Sequence, residues 1–427
     1  MEENTLVPPA KTYDWIVIGG GAAGCFGALA AAQAAPRSTG LVLEKSNAPL
    51  KKVKISGGGR CNVTNAEHRP AALAKAYPRG GKQMKRLLKQ FGQPDTVDWF
   101  AKRGVQLKTE PDGRMFPITD ESQTVIDCLL GALHKAGVPL TTRTGVREIF
   151  PLPGKQGYGL HTTRGDTLQA RCVLLAAGGL PKPAQYNWLA PLGLPIVPPV
   201  PSLFTFNVPA SPLEGLEGLS VAETAVSVEG QKNRYGGPTL VTHWGLSGPA
   251  VLKGSAWEAR HLAAQAYRYN VQVNWLPQFK RPELEAELES YRHSHPNALI
   301  RNHRPEAIPK RLWERLCTQA GIPESTTWAN LKRKAQNLLA ERLQHSRFVA
   351  EGKTTYKDEF VTAGGIDLRV LEPDNLELCA WPGLFAAGEL LNIDGITGGY
   401  NFQAAWSSGW VAGTAMGQHV AAATERG

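Results

Sequence analysis

Three glycines near the start of the chain have the spacing of a phosphate-binding turn. Gly19, Gly21 and Gly24 directly follow a short apolar run and form the pattern G-x-G-x-x-G. The first glycine permits a tight turn, the second lets backbone approach a pyrophosphate, and the third lets helix and strand pack closely. An alanine-rich segment follows, and the N–H groups that open such a helix attract phosphate. The residues assigned to a pyrophosphate are Gly19, Gly21, Ala22, Ala23 and Gly24.

An acidic residue lies where a dinucleotide site needs one. Glu44 comes twenty residues after Gly24, at the end of the next apolar run. A carboxylate in this position accepts hydrogen bonds from both ribose hydroxyls, and its charge repels a 2′-phosphate. Lys45 follows it, and two interpretations stay open: the adenine side of the site, or solvated surface. Strand, glycine turn, helix, second strand and acid together predict a βαβ dinucleotide-binding unit.

Two more apolar runs, far along the chain, also end in small residues. Ala177 and Gly178 end one of them, and Gly388 and Glu389 follow the other. A glycine at the carboxyl end of a strand lets a ligand meet the backbone closely. If these strands are parallel neighbours of the first, three glycine-ended strands converge on one crevice, at the edge where α/β sheets bind ligands.

The order of the patterns predicts a discontinuous nucleotide domain. Residues 1–192 and 350–427 carry the glycine-ended strands and the last apolar helix. Residues 193–281 contain short strands punctuated by Pro and Gly, which predict an inserted β domain. Residues 282–349 have amphipathic helical spacing and predict a helical subdomain. The fold class is therefore α/β, with a Rossmann-type domain that carries an insertion.

Composition sets wider bounds. The chain has 427 residues, 42% hydrophobic and 20% charged, which predicts a globular protein of more than one domain. It has no apolar run of membrane-span length and no signal-peptide pattern. Six scattered cysteines without a C-x-x-C pair favour reduced thiols and a cytoplasmic location, and no metal site is predicted.

The net charge of +10 invites a nucleic-acid interpretation, but two bland explanations weigh against it. Residues 280–345 alternate charge signs, as solvated helix faces do. A basic cluster directly after Glu44 supplies the counter-charge that a diphosphate cofactor needs. The expected partner is a small molecule, without a membrane partner, and the oligomeric state is left open.

Four segments make the chain resemble a known family. Residues 54–65, 242–249, 360–366 and 388–409 together resemble the BaiN/RdsA-type family of NAD(P)/FAD-dependent, aminoacetone-oxidase-like flavoproteins. The resemblance implies FAD, a Rossmann-type FAD-binding domain, and an inserted β-barrel-like domain with a helical portion. Residues 180–188 depart from the family, whose members often have a Ser/Thr- and Gly-rich turn there.

FAD chemistry, supported by this resemblance, suggests further cofactor contacts. The loop before residue 62 offers N–H groups and a guanidinium to phosphates and to the flavin edge. Cys61 in that loop is either redox-active or a packing residue. The last helix would aim its N-terminus at the flavin pyrimidine and stabilise negative charge there. The added candidates are Lys54, Ser56, Gly58, Gly59, Arg60, Cys61, Asn62, Val146 at adenine, Ala177, Gly178, Gly388, Glu389, Asp394, Gly398, Gly399, Tyr400 and Asn401.

Three residues are candidates on the substrate side. His243 is either a proton donor or a histidine bonded to backbone at a domain junction. Arg114 either clamps a carboxylate or anchors its own turn through an ion pair. Tyr400 is a candidate steric gate or proton donor.

The expected function is hydride transfer by an FAD-dependent oxidoreductase. The donor would be NAD(P)H, which must dock transiently because the sequence has one G-x-G-x-x-G unit that follows a strand and opens a helix. The acceptor would be a C–C or C–N bond of a small organic molecule. Two alternatives stay open: an oxygen-using amine or aminoketone oxidase, and a flavin-containing RNA-associated binding protein.

Overall fold

The structure is a computed structural model, and it describes residues 11–354 and 361–424. Phe360, in one of the family-like segments, lies outside the described residues. The strands are β1 (Lys11–Ile18), β2 (Gly40–Leu43), β3 (Thr64–Asn65), β4 (Leu107–Thr109), β5 (Arg114–Pro117), β6 (Leu140–Thr141), β7 (Val146–Pro151), β8 (Tyr158–Thr162), β9 (Thr167–Leu175), β10 (Ile196–Ser202), β11 (Thr205–Asn207), β12 (Ser220–Val228), β13 (Tyr235–Thr242), β14 (Gly245–Ser247), β15 (Arg268–Asn274), β16 (Ser346–Glu351), β17 (Lys353–Thr354), β18 (Val361–Ile366) and β19 (Leu384–Ala386). The α-helices are α1 (Ala22–Ala34), α2 (Lys51–Ile55), α3 (Pro70–Leu73), α4 (Gly81–Gln90), α5 (Gln93–Ala101), α6 (Ser122–Lys135), α7 (Pro249–Trp257), α8 (Ala259–Ala264), α9 (Arg281–Ser294), α10 (Lys310–Gln319), α11 (Arg333–Gln344) and α12 (Tyr400–Thr424).

A parallel sheet carries the glycine-ended strands. β1 pairs in parallel with β2 on one side and β9 on the other, and the carboxyl half of β9 pairs with β19. The register places Leu43, Ile18, Leu175 and Ala386 side by side. These strands are almost entirely apolar and buried where they pair, as parallel strands covered on both faces are. The expected convergence of the three glycine-ended strands on one edge is confirmed.

The amino half of β9 has a different neighbour. It pairs with β8, which pairs with β7, and both contacts are antiparallel. This meander brings the start of β7 to the site edge, on the chain segment that follows β6.

Two helices cover one another very closely within this unit. A Cβ added at Gly413 of α12 would lie 2.1 Å from the Gly27 carbonyl oxygen of α1, and one at Gly409 would lie 2.4 Å from the Ala23 carbonyl oxygen. Only backbone fits at these positions, so α12 runs against α1 without intervening side chains. The pairing fixes the first turns of both helices, which belong to the candidate site.

The chain divides into two compact units, residues 1–201 with 357–427, and residues 202–356. The second unit contains a seven-stranded antiparallel sheet of order β16-β15-β12-β13-β14-β11-β17. Helices α9, α10 and α11 bury Leu284, Trp313 and Leu339 in the same hydrophobic cluster as the sheet residues Val271 and Phe348. The α/β class with an antiparallel insertion is confirmed. A separate helical subdomain, with the boundaries given above, stays a prediction.

Two small strand pairings were not expected from the sequence. β3, β5 and β4 form a three-stranded sheet, and β10 pairs with β18. In the described residues no helix is long and apolar enough to cross a membrane.

Candidate functional site

The turn between β1 and α1 separates the three glycines into two roles. A Cβ at Gly19, whose φ is +116°, would lie 2.2 Å from the Ala176 carbonyl oxygen, and a Cβ at Gly24 would lie 1.8 Å from the Gly19 carbonyl oxygen. A Cβ at Gly21 would meet no atom within 4 Å. The outer glycines are thus required by packing, whereas the middle one faces open space in front of α1. No side chain of the described residues caps this helix at Gly21, which leaves its N–H groups for an anion.

Glu44 is held beside that turn by backbone. Its Oε2 accepts a hydrogen bond from the Gly20 N–H at 2.8 Å, and its Oε1 accepts one from the Ser46 N–H at 2.7 Å. Each carboxylate oxygen has a second lone pair, so the oriented carboxylate can still accept from ribose hydroxyls. Lys45 is exposed.

The start of β7 lies along the same residues. The Thr144 N–H donates to the Glu44 carbonyl oxygen at 2.8 Å, and a Cβ at Gly145 would lie 3.3 Å from the Lys45 Cβ. Val146 follows directly and begins β7. The structure therefore brings Val146 next to the acid, which is where an adenine contact was predicted.

The loop after α2 has an open and a packed part. Gly58 and Gly59 have φ of +68° and +84°, and a Cβ at either position would meet no atom within 4 Å. The Ser56 hydroxyl donates to the Val53 carbonyl oxygen at 2.9 Å. Lys54 is exposed, and its ammonium donates to Gln123 Oε1 at 2.8 Å. The glycine backbone is available to a ligand here, while the flanking side chains hold the loop.

Cys61 belongs to the packed part of this loop. It is fully buried, and burial raises the pKa of its thiol to about 12. A thiol with that pKa is protonated and unreactive at neutral pH. Of the two interpretations left open for Cys61, packing is the one that this geometry favours. Asn62 is also buried, and its Oδ1 accepts from the Met115 N–H at 3.3 Å.

Two arginines assigned to ligands are occupied by carboxylates. Arg60 pairs with Glu110 at 2.6 Å, and its guanidinium lies 4.0 Å from the Phe116 ring centroid. Arg114 pairs with Glu110 at 2.8 Å and with Asp112 at 2.6 Å. Contact of either guanidinium with phosphate or substrate would require these ion pairs to open, because each carboxylate already takes the charge-assisted hydrogen bonds.

The ends of β9 and β19 form a polar corner. A Cβ at Gly178 would meet no atom within 4 Å, and the Gly388 N–H donates to the Ser408 hydroxyl at 2.9 Å. Glu389 accepts from the Lys52 ammonium at 2.7 Å and from the Thr362 N–H at 2.8 Å. Ala177 lies between the two strand ends and is half-buried.

The same corner contains hydroxyls without a partner. A Cβ at Gly179 would lie 2.8 Å from the Thr362 Oγ1 and 2.4 Å from Glu389 Oε1. The Thr362 and Tyr186 hydroxyl oxygens are buried and have no hydrogen-bond partner among the described residues. Buried polar atoms are normally paired, so orphaned hydroxyls at a ligand-binding edge are consistent with a polar ligand that supplies their partners.

The loop before α12 uses two predicted ligand residues to hold itself. Asp394 is fully buried and receives a bidentate ion pair from Arg79. The Asn401 side chain accepts from the Gly395 N–H at 2.8 Å and donates to the Gly395 carbonyl oxygen at 2.9 Å. The predictions gave Asp394 to the ribityl chain and Asn401 to the flavin ring. Both side chains instead hold backbone or an arginine in this structure, so they shape the loop.

The N-terminus of α12 is joined to the loop after α2. Asn65 Nδ2 donates to the Gly398 carbonyl oxygen at 3.1 Å, and a Cβ at Gly399 would lie 2.4 Å from the Thr64 carbonyl carbon. The Tyr77 hydroxyl donates to the Tyr400 carbonyl oxygen at 2.7 Å. Burial raises the pKa of the Tyr400 hydroxyl, which therefore stays protonated at neutral pH.

His243 lies in the other unit. It occupies, with Trp244, the two-residue turn between β13 and β14, and both side chains are exposed. Its role as a proton donor stays a prediction.

Sequence reasoning missed three residues of the site: Lys52, Arg79 and Asn65. Their partners are 337, 315 and 333 residues away along the chain. No local pattern could signal pairs so distant. A buried acid such as Asp394 demands a cation, but not a particular one.

The site fits the cofactor that the sequence suggested. Four glycine positions with open space, an uncapped helix N-terminus and an oriented carboxylate meet at the carboxyl edge of one parallel sheet, the position at which such sheets bind dinucleotides. The fold and the site define a Rossmann-type, dinucleotide-binding protein.

The chain belongs to the family described as HI0933-like protein Rossmann domain, which matches residues 13–415. This family of BaiN/RdsA type comprises FAD-dependent oxidoreductases. The chain is 33% identical over 408 residues to a ribosomal RNA dihydrouridine synthase of Escherichia coli strain K12, covering 94% of this chain and 97% of that one. It is 29% identical over 415 residues to the 3-dehydro-bile acid delta(4,6)-reductase of Clostridium scindens, covering 94% and 98%.

Solved structures support the fold. The 3-ketosteroid-delta4-(5alpha)-dehydrogenase from Rhodococcus jostii RHA1 matches with a TM-score of 0.52 at 14% identity, covering 96% of this chain and 99% of that one. At such low identity the similarity concerns the fold alone.

Proposed function

We propose that this chain is an FAD-dependent reductase that saturates a carbon–carbon double bond conjugated to a carbonyl group, and that its substrate is a uridine of ribosomal RNA. One observation carries the proposal: 33% identity over nearly the full length of both chains to a relative named for making dihydrouridine in ribosomal RNA. The uracil C5=C6 bond is conjugated to the C4 carbonyl. The bile acid relative is likewise named as a reductase of double bonds.

The reaction balances with a nicotinamide as reductant. NAD(P)H loses a hydride, the β-carbon of the double bond gains one, and the α-carbon gains a proton. FAD, when bound, would supply the two-electron carrier between donor and acceptor.

The residues of the chain would bind and orient. The backbone at Gly21 and the N-terminus of α1 would hold the pyrophosphate, and Glu44 the adenosine ribose. The N-terminus of α12, at Tyr400, presents a positive dipole end that favours negative charge on a reduced ring. The Tyr400 hydroxyl, kept protonated by burial, is one candidate proton donor. His243 is the other.

Nucleic acid was weighed against from the sequence because the excess charge had bland explanations. The relative named for ribosomal RNA outweighs that argument, which concerned only where the cations lie along the chain. A small-molecule substrate is the second candidate, and the 29% identity to the bile acid reductase over 94% of this chain favours it.

Anaerobic half-reactions test the proposal. The FAD-loaded protein is mixed with NADH or NADPH and bleaching of flavin absorbance is followed; the reduced protein is then mixed with a ribosomal RNA transcript or with a steroid enone. We expect bleaching by a nicotinamide and reoxidation by the transcript. Reoxidation by the enone alone would assign the small-molecule substrate. Reoxidation by oxygen alone would support the oxidase alternative and contradict a reductase.

A further inference from the structure

Helix α4 has one face made entirely of cations. Lys82, Lys85, Arg86 and Lys89 recur at the spacing i, i+3, i+4 and i+7, and all four side chains are exposed. Residues at this spacing lie on one side of a helix. At a rise of about 1.5 Å per residue, the stripe is about 10 Å long. The opposite side of the helix buries Met84, Leu87 and Leu88 in the core.

Nothing in the described chain neutralises this stripe. None of the four cations forms an ion pair with a described residue, and the helix sequence GKQMKRLLKQ contains no acid. Gln83 and Gln90 donate to the carbonyl oxygens of Pro373 and Asp374 at 2.5 Å and 2.9 Å. The exposed Asp374 side chain is therefore the acid nearest to the end of the stripe that the hydrogen bonds identify. One carboxylate against four cations leaves a strong positive excess.

Such a stripe costs free energy in the isolated protein, because like charges at i, i+4 repel. The second unit shows the usual remedy: Arg281 pairs with Glu285 and Glu341. An unneutralised row of cations is instead the electrostatic footprint of an extended polyanion. A small enone has no comparable row of negative charges.

The stripe begins next to the candidate site. Arg79, two residues before α4, holds Asp394, and a Cβ at Gly80 would lie 2.5 Å from Ile393 Cγ1. The loop after Asp394 leads through Gly398 and Gly399 into α12. A chain of phosphates along α4 would therefore end beside the loop that shapes the flavin side of the site.

We propose that the outward face of α4 binds the phosphate backbone of the RNA substrate. This rests on the proposed function for its occupant, since RNA is the substrate class proposed above. The contacts are Lys82, Lys85, Arg86 and Lys89 to successive phosphates, without base readout, so they position the RNA and leave the choice of uridine to the site.

The test removes three charges from the stripe and, as a matched control, three from elsewhere. The variant K82Q/K85Q/K89Q is compared with K332Q/R333Q/K334Q, whose positions are exposed and lie outside the ion pairs of the described residues. Binding of a labelled ribosomal RNA transcript is measured by fluorescence anisotropy over a range of salt concentrations. Flavin content and circular dichroism report whether each variant is folded.

Three phosphate contacts to single-stranded RNA contribute about −2 to the slope of log K against log salt. The α4 variant should therefore have a slope shallower by about 2 and bind about 100-fold more weakly at about 0.1 M salt, with the difference vanishing near 1 M. The control variant should bind as the unmodified protein does. Single substitutions K85Q and K89Q, each removing a slope of about 0.7, give the same answer if the triple variant fails to fold.

Several outcomes would overturn this assignment. Equal losses in both variants would mean that only net charge matters. Unchanged binding by a folded α4 variant would place the RNA elsewhere, while leaving the proposed function intact. Loss of binding to phosphatidylserine vesicles, with RNA binding unchanged, would assign the stripe to a membrane surface. Conversely, an α4-dependent RNA affinity without any uridine reduction would support the surface and contradict the proposed function.

Discussion

Replacing Gly21 by alanine should separate cofactor binding from folding. In the structure a Cβ at this position meets no atom within 4 Å, and the backbone is extended at φ −87° and ψ −169°, which any residue adopts. The methyl group therefore creates no clash in the protein itself. It does project from the turn to which a pyrophosphate would have to come close.

The magnitudes follow from the two states. Alanine is a poorer N-cap than glycine, by about 0.5–1 kcal/mol, but it also reduces the entropy of the unfolded chain by about 0.4–1 kcal/mol. These effects nearly cancel, so the free energy of unfolding without cofactor should change by less than about 1 kcal/mol. Loss of one or two charge-assisted hydrogen bonds to phosphate costs about 1.5–3 kcal/mol, so FAD affinity should fall roughly 10- to 150-fold.

Gly24 supplies the contrasting variant. Its added Cβ would lie 1.8 Å from the Gly19 carbonyl oxygen, so Gly24→Ala must displace backbone and should lower the free energy of unfolding by at least about 1–3 kcal/mol. Urea unfolding of the cofactor-free protein and fluorescence titration with FAD measure both quantities. The reasoning is refuted if Gly21→Ala binds FAD as tightly as the unmodified protein, or if it unfolds as easily as Gly24→Ala.

Three other results are expected. Asp394→Ala removes the buried carboxylate that Arg79 contacts and should lower the free energy of unfolding by about 3–5 kcal/mol in urea; a loss below about 1 kcal/mol would contradict the buried pair. Gly413→Val places side-chain atoms against the Gly27 carbonyl oxygen and should destabilise the fold by at least about 1–3 kcal/mol, unless α1 and α12 are farther apart than described. Cys61, whose pKa burial raises to about 12, should resist iodoacetamide in the native protein at neutral pH and react after denaturation, as peptide mass spectrometry would show; rapid native labelling would mean that the loop opens.

The edge of the parallel sheet was predictable because each of its parts has a local signature. Gly19, Gly21 and Glu44 declare a turn and an acid within one βαβ unit. The apolar runs before Gly178 and Gly388 declare buried strands, and parallel strands must present their carboxyl ends at one edge. Together these signals placed the residues that the register brings side by side.

The side-chain partners could not be predicted in the same way. Arg60 looked available for phosphate, but its partner Glu110 lies on a hairpin of the small three-stranded sheet, whose strands have two to four residues and no clear alternation. Asp394 looked like a ligand because its neighbours do, yet tertiary packing buries it against Arg79. Such pairings depend on which surfaces meet in three dimensions, and one sequence carries no record of that.

The most direct test of the central claim is the product. The purified, FAD-loaded protein is incubated without oxygen with NADPH or NADH and a ribosomal RNA transcript, the RNA is digested, and its nucleosides are separated by mass. The account predicts a uridine heavier by two hydrogen atoms, formed only when both FAD and a nicotinamide are present. Reduction of the flavin without any dihydrouridine in the RNA, under conditions in which the Escherichia coli relative produces it, would contradict the proposed substrate.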